Sequence, residues 1–413
     1  MHILQVSPRV PWPLHDGGAI GIYNITKGLL AAGHRVTMLA LNTPKHHQPA
    51  DVLAHLGPHF QLVTVDVDTR LQPLKALRNL LFSQEPYNVE RFTSQAVVTQ
   101  LSQLLTDLQP DVVQFEGTFV APYLAFVRWK LRHLVVEPPP IVLRAHNIEY
   151  VIWERLAAGQ KNPLRKWYFS HLAGRLRRFE QASLPHFDGI AAITPEDIAR
   201  LQALGCPVPI ALVPAAVELG AFQPELAAPP PKPRTVFMIG SLNWLPNLEG
   251  LEWLLREVWP AVHAELPALE LHVAGSHPPA HLTGRPQGQH NVFIHGFVES
   301  AAAFMRQYDL MLVPLLSGGG MRIKIIEGMA AGKAILSTAL GAEGVAAHDG
   351  HDLLLRDGAA AWQQALRDYY HGRLPVAALG AAAAQTAADT YANARVTQRF
   401  EALYARARAA LEA

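Results

Sequence analysis

The segment Leu315-Leu-Ser-Gly-Gly-Gly-Met-Arg-Ile-Lys-Ile-Ile-Glu-Gly-Met-Ala-Ala-Gly332 concentrates residue types that handle phosphate. An apolar run ends at Leu315, Gly318, Gly319 and Gly320 follow, and a helix is expected from Met321 to Ala331. Glycines at such a turn let a ligand approach the main chain, and the N–H groups of a helix start attract anions. Arg322 and Lys324 put two cations in the first turn, where the helix dipole disfavours positive charge. An anion shared by both cations and the amides resolves that conflict. Glu327 comes about a turn later, placed to accept from hydroxyls. The set describes a diphosphate beside a polyol such as ribose. A glycine-rich turn with solvated charges is the plainer alternative. Gly328-Met-Ala-Ala-Gly-Lys333 imitates a P-loop, but it has one residue too few and ends a helix. Gly332 reads as a helix C-cap.

A second glycine signal, Asp16-Gly17-Gly18-Ala-Ile-Gly21, follows the first apolar strand. Gly17 and Gly18 offer amides to phosphate or sugar oxygens, or simply start a helix tightly. Arg144-Ala-His-Asn-Ile-Glu-Tyr150 also follows a strand. His146 is expected to donate to a substrate hydroxyl and Glu149 to orient a neighbour. The bland reading is a helix capped by Asn147 with Glu149 in its first turn. Glu116, ending another strand, is a weaker candidate on the same reasoning. Asp66-Val-Asp68 matches a short acidic metal-binding pair but reads as a strand end, and no metal site is expected. His46-His47 reads as a solvated loop, and the histidines show no metal-ligand spacing.

These residues need a scaffold. Apolar runs at Ile3–Ser7, Val36–Leu41, Leu62–Val67, Val112–Phe115, Ile141–Leu143 and Ile190–Ile193 alternate with helical patterns. After a proline-rich stretch the alternation restarts at Val236–Ile239, Leu269–Ala274, Val292–Ile294, Leu310–Leu315 and Ala334–Ser337. Helices are expected from Leu242 to Glu257 and, at the end, from Asn393 to Glu412. Continuous apolar strands between helices mean parallel sheets covered on both faces. The expectation is α/β: two doubly wound domains facing across a cleft, with ligands beyond the carboxyl ends of the strands. Residues 1–223 form the first domain and 235–392 the second. The stretch 224–234, with five prolines in eleven residues, is a stiff linker.

Composition agrees. At 413 residues the chain exceeds one core, and 50% hydrophobic content fills two. A net charge of +1 argues against nucleic-acid binding, and a single cysteine excludes a disulfide framework. The amino-terminal residues lack a basic leader and no run of about eighteen apolar residues occurs, so a cytoplasmic location, or the inner face of a membrane, is expected. Between Arg128 and Arg178 eleven Lys and Arg oppose three Glu. Within that stretch 161–178 mixes aromatics and cations on an expected helix. It suits either an anionic membrane surface or a core-packed helix.

The chain resembles the retaining GT-B glycosyltransferases of group 1, glycosyltransferase family 4, over nearly its whole length. Ile3-Leu-Gln-Val-Ser with Gly17-Gly18 is similar to that family's first strand and loop. Gly189-Ile-Ala-Ala-Ile-Thr194 is similar to the strand before its interdomain crossing, and Phe237-Met-Ile-Gly-Ser-Leu-Asn-Trp-Leu-Pro-Asn247 to the start of its second domain. Leu271-His-Val-Ala-Gly275, Val292-Phe-Ile-His-Gly-Phe-Val298 and Ile326-Glu-Gly-Met-Ala-Ala-Gly-Lys-Ala334 resemble the donor-domain pattern. The resemblance implies transfer from a nucleotide-diphosphate-sugar, used as co-substrate with no other cofactor, to a glycan or glycolipid acceptor. It implies Arg322 and Lys324 on the diphosphate and Glu327 on the ribose. Gly240 and Ser241 lie beside the phosphates, Phe297 and Val298 near the base, and His146 near the sugar. The tail helix packs back on the first domain. Three positions depart from the pattern. Gly319 stands where the family has the first of two glutamates. Ser241-Leu-Asn-Trp replaces the usual Arg and Lys. Pro214-Ala-Ala-Val-Glu218 replaces Pro-Asn-Gly-Val-Asp. A nucleotide-sugar epimerase or hydrolase, or a non-catalytic sugar-nucleotide-binding protein, remains open on the same frame.

Overall fold

The computed structural model describes residues 1–14, 16–222, 234–284 and 288–412. It comprises two compact units, Met1–Pro214 with Ala394–Ala413, and Ala215–Asn393. The change of unit falls ahead of the prolines rather than at 223. Ala215, Val217 and Phe222 are buried in the core of the second unit with Phe237 and Ile325. Of the stretch 224–234, all but Arg234 lies outside the described residues.

In the first unit β1 (His2–Ser7), β2 (Arg35–Asn42), β3 (Phe60–Asp66), β4 (Val112–Glu116), β5 (Ile141–Ala145), β6 (Gly189–Ala192) and β7 (Ile210–Leu212) form one sheet. The helices of this unit are α1 (Gly17–Ala31), α2 (Pro73–Phe82), α3 (Tyr87–Glu90), α4 (Gln95–Leu108), α5 (Leu124–Leu134), α6 (Glu149–Ala158), α7 (Pro163–Ser183) and α8 (Pro195–Ala203). The strand order is β3-β2-β1-β4-β5-β6-β7, and every pairing is parallel. Ile3, Leu4 and Val6 are buried because helices cover both faces. The order reverses between β1 and β4. That is the switch point at which such sheets bind ligands, and Glu116 lies at the carboxyl end of β4.

The second unit repeats the plan. Strands β8 (Thr235–Ile239), β9 (Glu270–Ala274), β10 (Val292–Gly296), β11 (Leu310–Val313), β12 (Ala334–Ser337) and β13 (Leu354–Leu355) follow the order β10-β9-β8-β11-β12-β13, all parallel. Its helices are α9 (Leu245–Trp253), α10 (Trp259–Glu265), α11 (Ala280–Thr283), α12 (Ala301–Met305), α13 (Ile323–Ala330), α14 (Ala359–Tyr370) and α15 (Val376–Thr390). The switch point lies between β8 and β11. The loops after these two strands, Gly240–Trp244 and Pro314–Arg322, are therefore neighbours.

Two expected helices start later: that expected from Met321 to Ala331 runs Ile323–Ala330. The one expected from Leu242 starts at Leu245, because Ser241 bonds Asn243 in a turn and Pro246 suits a first helical turn. It passes into a π turn at Leu254–Val258. Strands β7 and β13 escaped the apolar-run reading because they have three residues and two. The tail helix α16 (Asn393–Glu412) packs on the first unit. Val396, Phe400 and Leu403 are buried, Glu401 pairs with His34 at 2.9 Å, and the Tyr404 hydroxyl donates to Gln114. Among the described residues no helix is long and apolar enough to cross a membrane.

Candidate functional site

In the second unit the two switch-point loops are tied by side chains. Asn247 on α9 is buried, and its Nδ2 donates to the Ser241 carbonyl at 2.9 Å. Its Oδ1 accepts from Lys324 Nζ at 2.7 Å. Gly240 lies against the same amide, with φ +147°. A Cβ there would come within 2.7 Å of Asn247 Nδ2, so a larger residue would force Asn247 away. The Ser241 hydroxyl bonds Asn243 and Ser276.

Gly318 and Gly320 take φ of +101° and +80°, which bends the loop back on Arg322. The Arg322 Nη1 donates to the Gly319 and Gly320 carbonyls, and its guanidinium lies over the Trp244 ring, 5.4 Å from the centroid. Arg322 is the N-cap position of α13, and no side chain caps that helix. The Ile325 N–H bonds the Arg322 carbonyl at 2.9 Å, and among the described residues no side chain accepts from the N–H groups of the first turn. Burial, then the Arg322 charge, lowers Lys324 to about 7. Burial raises the Glu327 carboxyl to about 7, and it meets no cation and no donor among the described residues. A half-buried acid and an amine that titrate near neutrality, beside an uncapped helix start, form an environment that an anion with hydroxyls would complete.

The structure thus brings together Gly240, Ser241, Gly318, Gly319, Gly320, Arg322 and Lys324, with Glu327 on the same helix. Phe297 and Val298 follow β10 on the same edge of the sheet but two strands from β8. Phe297 is exposed, and Val298 packs against the hydrophobic core. Trp244, Asn247 and Glu249, which accepts from the Ser317 hydroxyl at 2.5 Å, are the members that sequence reasoning did not single out. The motif Asn243-Trp-Leu-Pro-Asn247 was the only signal of the first two, and Glu249 lies outside it.

The first unit holds a buried polar network at its own switch point. Glu116 is fully buried and accepts from Gln5 Nε2 at 3.1 Å, Arg144 Nη1 at 3.2 Å, His146 Nε2 at 2.8 Å and the Gln114 amide. Thr26 on α1 donates to Gln5, and Tyr404 on α16 to Gln114. Burial opposes ionisation of Glu116, but Arg144 and then His146 bring it to about 2. Burial, then Arg144, lowers His146. A neutral imidazole facing a carboxylate carries its proton on Nε2, which leaves Nδ1 as an acceptor. With Nε2 engaged by Glu116, Nδ1 is the ring nitrogen left to meet a substrate hydroxyl. Glu116, the weaker candidate, is the hub.

Two further expectations change. Asp16 Oδ1 accepts from the amides of Gly18 and Ala19 at 3.0 and 3.1 Å, and Arg9 pairs with Asp16 at 2.8 Å. The Gly18 amide is therefore bound to its own chain, and Gly17 opens α1. Asn147 does not cap α6. Glu180, reaching from α7, accepts from the Glu149 and Tyr150 amides at 2.9 and 3.1 Å. Burial pushes Glu149 up to about 7 and Glu180 up to about 8. Asp68 pairs with Arg70, and His47 lies 3.7 Å from Asp66.

Comparison with known proteins places this arrangement. Residues 233–371 match the family "Glycosyl transferases group 1", and residues 16–216 match "Glycosyl transferase 4-like domain". The chain belongs to the glycosyltransferases. Its fold is that of solved GT-B members. A sucrose-phosphate synthase from Thermosynechococcus elongatus is 18% identical, with a TM-score of 0.70 over 99% of this chain and 100% of that one. HepE from Anabaena, solved with UDP and glucose, is 12% identical, with a TM-score of 0.63 over 97% and 98%. An uncharacterised 44.6 kDa protein in the cps region of Klebsiella pneumoniae is 20% identical over 86% of this chain and 87% of that protein. In this glycosyltransferase the group 1 domain contains the Arg322–Lys324–Glu327 helix, and the 4-like domain contains His146 and Glu116.

Proposed function

We propose that this glycosyltransferase moves a hexose from a nucleotide-diphosphate-sugar to a hydroxyl of a glycan or glycolipid acceptor, with retention and without a metal, in cell-surface polysaccharide assembly. The observation that carries the reading is the pair Arg322 and Lys324 at the uncapped start of α13, beside Gly240–Ser241 and with Glu327 a turn on. Negative charge develops on the leaving diphosphate, and fixed cations with helix-terminal amides stabilise it without reorganising. Glu327 accepts from the ribose hydroxyls. The bond from the anomeric carbon to the phosphate oxygen breaks as the acceptor oxygen bonds to the same face. The acceptor's proton passes to the departing phosphate oxygen, so no protein nucleophile is required. Glu116 fixes the tautomer of His146, which accepts from a sugar hydroxyl. Phe297 and Val298 flank the base. The relative in a cps region and the UDP and glucose named with HepE support the substrate classes. Work at the inner face of a membrane, with contact through 161–178, belongs to the same reading.

Gly319 favours a second reading. With no side chain there to meet sugar hydroxyls, the chain would bind a sugar nucleotide without turning it over. A thermal-shift screen against nucleoside diphosphates and their sugars, followed by product analysis with mixed acceptors, tests both. A raised midpoint with glycoside formed supports transfer. A raised midpoint with no product supports the second reading, and no shift with any nucleotide contradicts both.

A further inference from the structure

Helix α2 is built with its sides reversed. Leu74, Leu77 and Leu81 follow i, i+3, i+7 spacing and share one face. They are 84%, 53% and 63% exposed. Leu71 and Phe82 at the helix ends are exposed too, so five large apolar side chains face solvent within twelve residues. The one buried residue of the helix is the polar Asn79, on the opposite side. Its amide donates to the Glu85 carbonyl at 2.9 Å and to the Glu90 carboxylate. Polar bonds thus hold the inner side of the helix while its apolar stripe meets water. Such a stripe marks an interaction surface.

The charges point to the occupant. Helix α2 carries Lys75 and Arg78 and no acidic residue. The α7 residue Arg175 donates to the carbonyls of Asn79, Ser83 and Glu85, which joins α7 to the end of α2. Leu164, Trp167, His171 and Arg175 lie on one face of α7, and Trp167 stacks on His171. That face therefore runs from the end of α2 to the exposed Leu164 and Trp167, flanked by the exposed cations Arg165 and Lys166. An apolar stripe rimmed by cations fits an anionic lipid surface.

We propose that α2 is a membrane-inserting element, its leucine face entering an anionic leaflet while its own Lys75 and Arg78 hold the headgroups. This deepens the membrane contact read above for 161–178 by naming the part that enters the lipid, and the test separates the two. The full chain is floated with vesicles of phosphatidylcholine, with and without phosphatidylglycerol. The unaltered chain should float with the anionic vesicles. Leu74→Gln/Leu77→Gln/Leu81→Gln should bind at least about tenfold more weakly with an unchanged thermal midpoint, since no buried contact is lost. Leu74→Gln alone, the safeguard against misfolding, should bind about threefold more weakly. If Lys161→Gln/Arg165→Gln/Lys166→Gln binds like the unaltered chain while the leucine variant does not, the α7 reading falls and α2 stands. Leucine variants that float like the unaltered chain overturn the proposal. So does failure of the unaltered chain to float with either vesicle, or a dimer in solution that the triple leucine variant splits.

Discussion

Lys324 and Asn247 stand 77 residues apart and meet at 2.7 Å, the ammonium donating to the amide oxygen. That bond joins α9, the helix after β8, to α13, the helix after β11. Asn247→Ala would leave the Ser241 carbonyl and a charged amine without partners. The second unit should lose about 1–3 kcal/mol of stability in urea titrations. Nucleoside diphosphate affinity should fall about tenfold as the two loops lose their common register.

Affinity for a diphosphate should depend on pH through Lys324. Its amine sits near 7 in the free protein, and a bound anion raises it. Affinity is then full below about pH 7. It falls by up to about tenfold per pH unit above that, and levels off once the pH passes the raised bound-state value. Calorimetric titrations across this range should show the decline, and Lys324→Arg, charged throughout, should abolish it.

Glu116 is held at about 2, below its ordinary 4.5, so it contributes stability that is present above about pH 4.5 and lost as the pH falls toward 2. Glu116→Gln strips the anion from buried Arg144. It should destabilise the first unit by about 3 kcal/mol at neutral pH, with the difference closing on acidification. Turnover should fall as well, and its pH profile should shift as His146 loses its fixed tautomer. That shift would not follow from a stability defect alone.

Glu180 has the opposite sign. Its carboxyl is raised to about 8 from 4.5, so its contribution is fully present below about pH 4.5 and is lost as the pH rises through 8. Glu180→Gln keeps an acceptor for one α6 amide and loses the other, so it should fall about 1 kcal/mol below the unaltered chain in acid. It should exceed it by about 2 kcal/mol at alkaline pH, measured as thermal midpoints across the range.

The sheets were legible in the sequence because a strand buried on both faces is apolar along most of its length, as Val236–Ile239 and Leu310–Val313 are. The α13 site was legible because glycines, cations and an acid crowd one short segment. What stayed hidden depends on contacts between distant residues. Nothing near Asn247 announces Lys324. Glu180 caps α6 from α7, a partner that local spacing cannot show, so Asn147 looked like the cap. The Gly18 amide looked available because the turn of Asp16 onto it is a matter of dihedral angles. The exposure of the α2 leucines was not legible, since periodicity gives a face but not what covers it.

The central claim is that Arg322, with Lys324, grips a diphosphate. Titration of Arg322→Ala against the best-stabilising nucleoside diphosphate and against its unphosphorylated nucleoside tests it most directly. The diphosphate should bind about ten- to a hundredfold more weakly than to the unaltered chain, with nucleoside binding unchanged. Equal diphosphate affinity in the two proteins, or an equal loss for both ligands, would contradict the account.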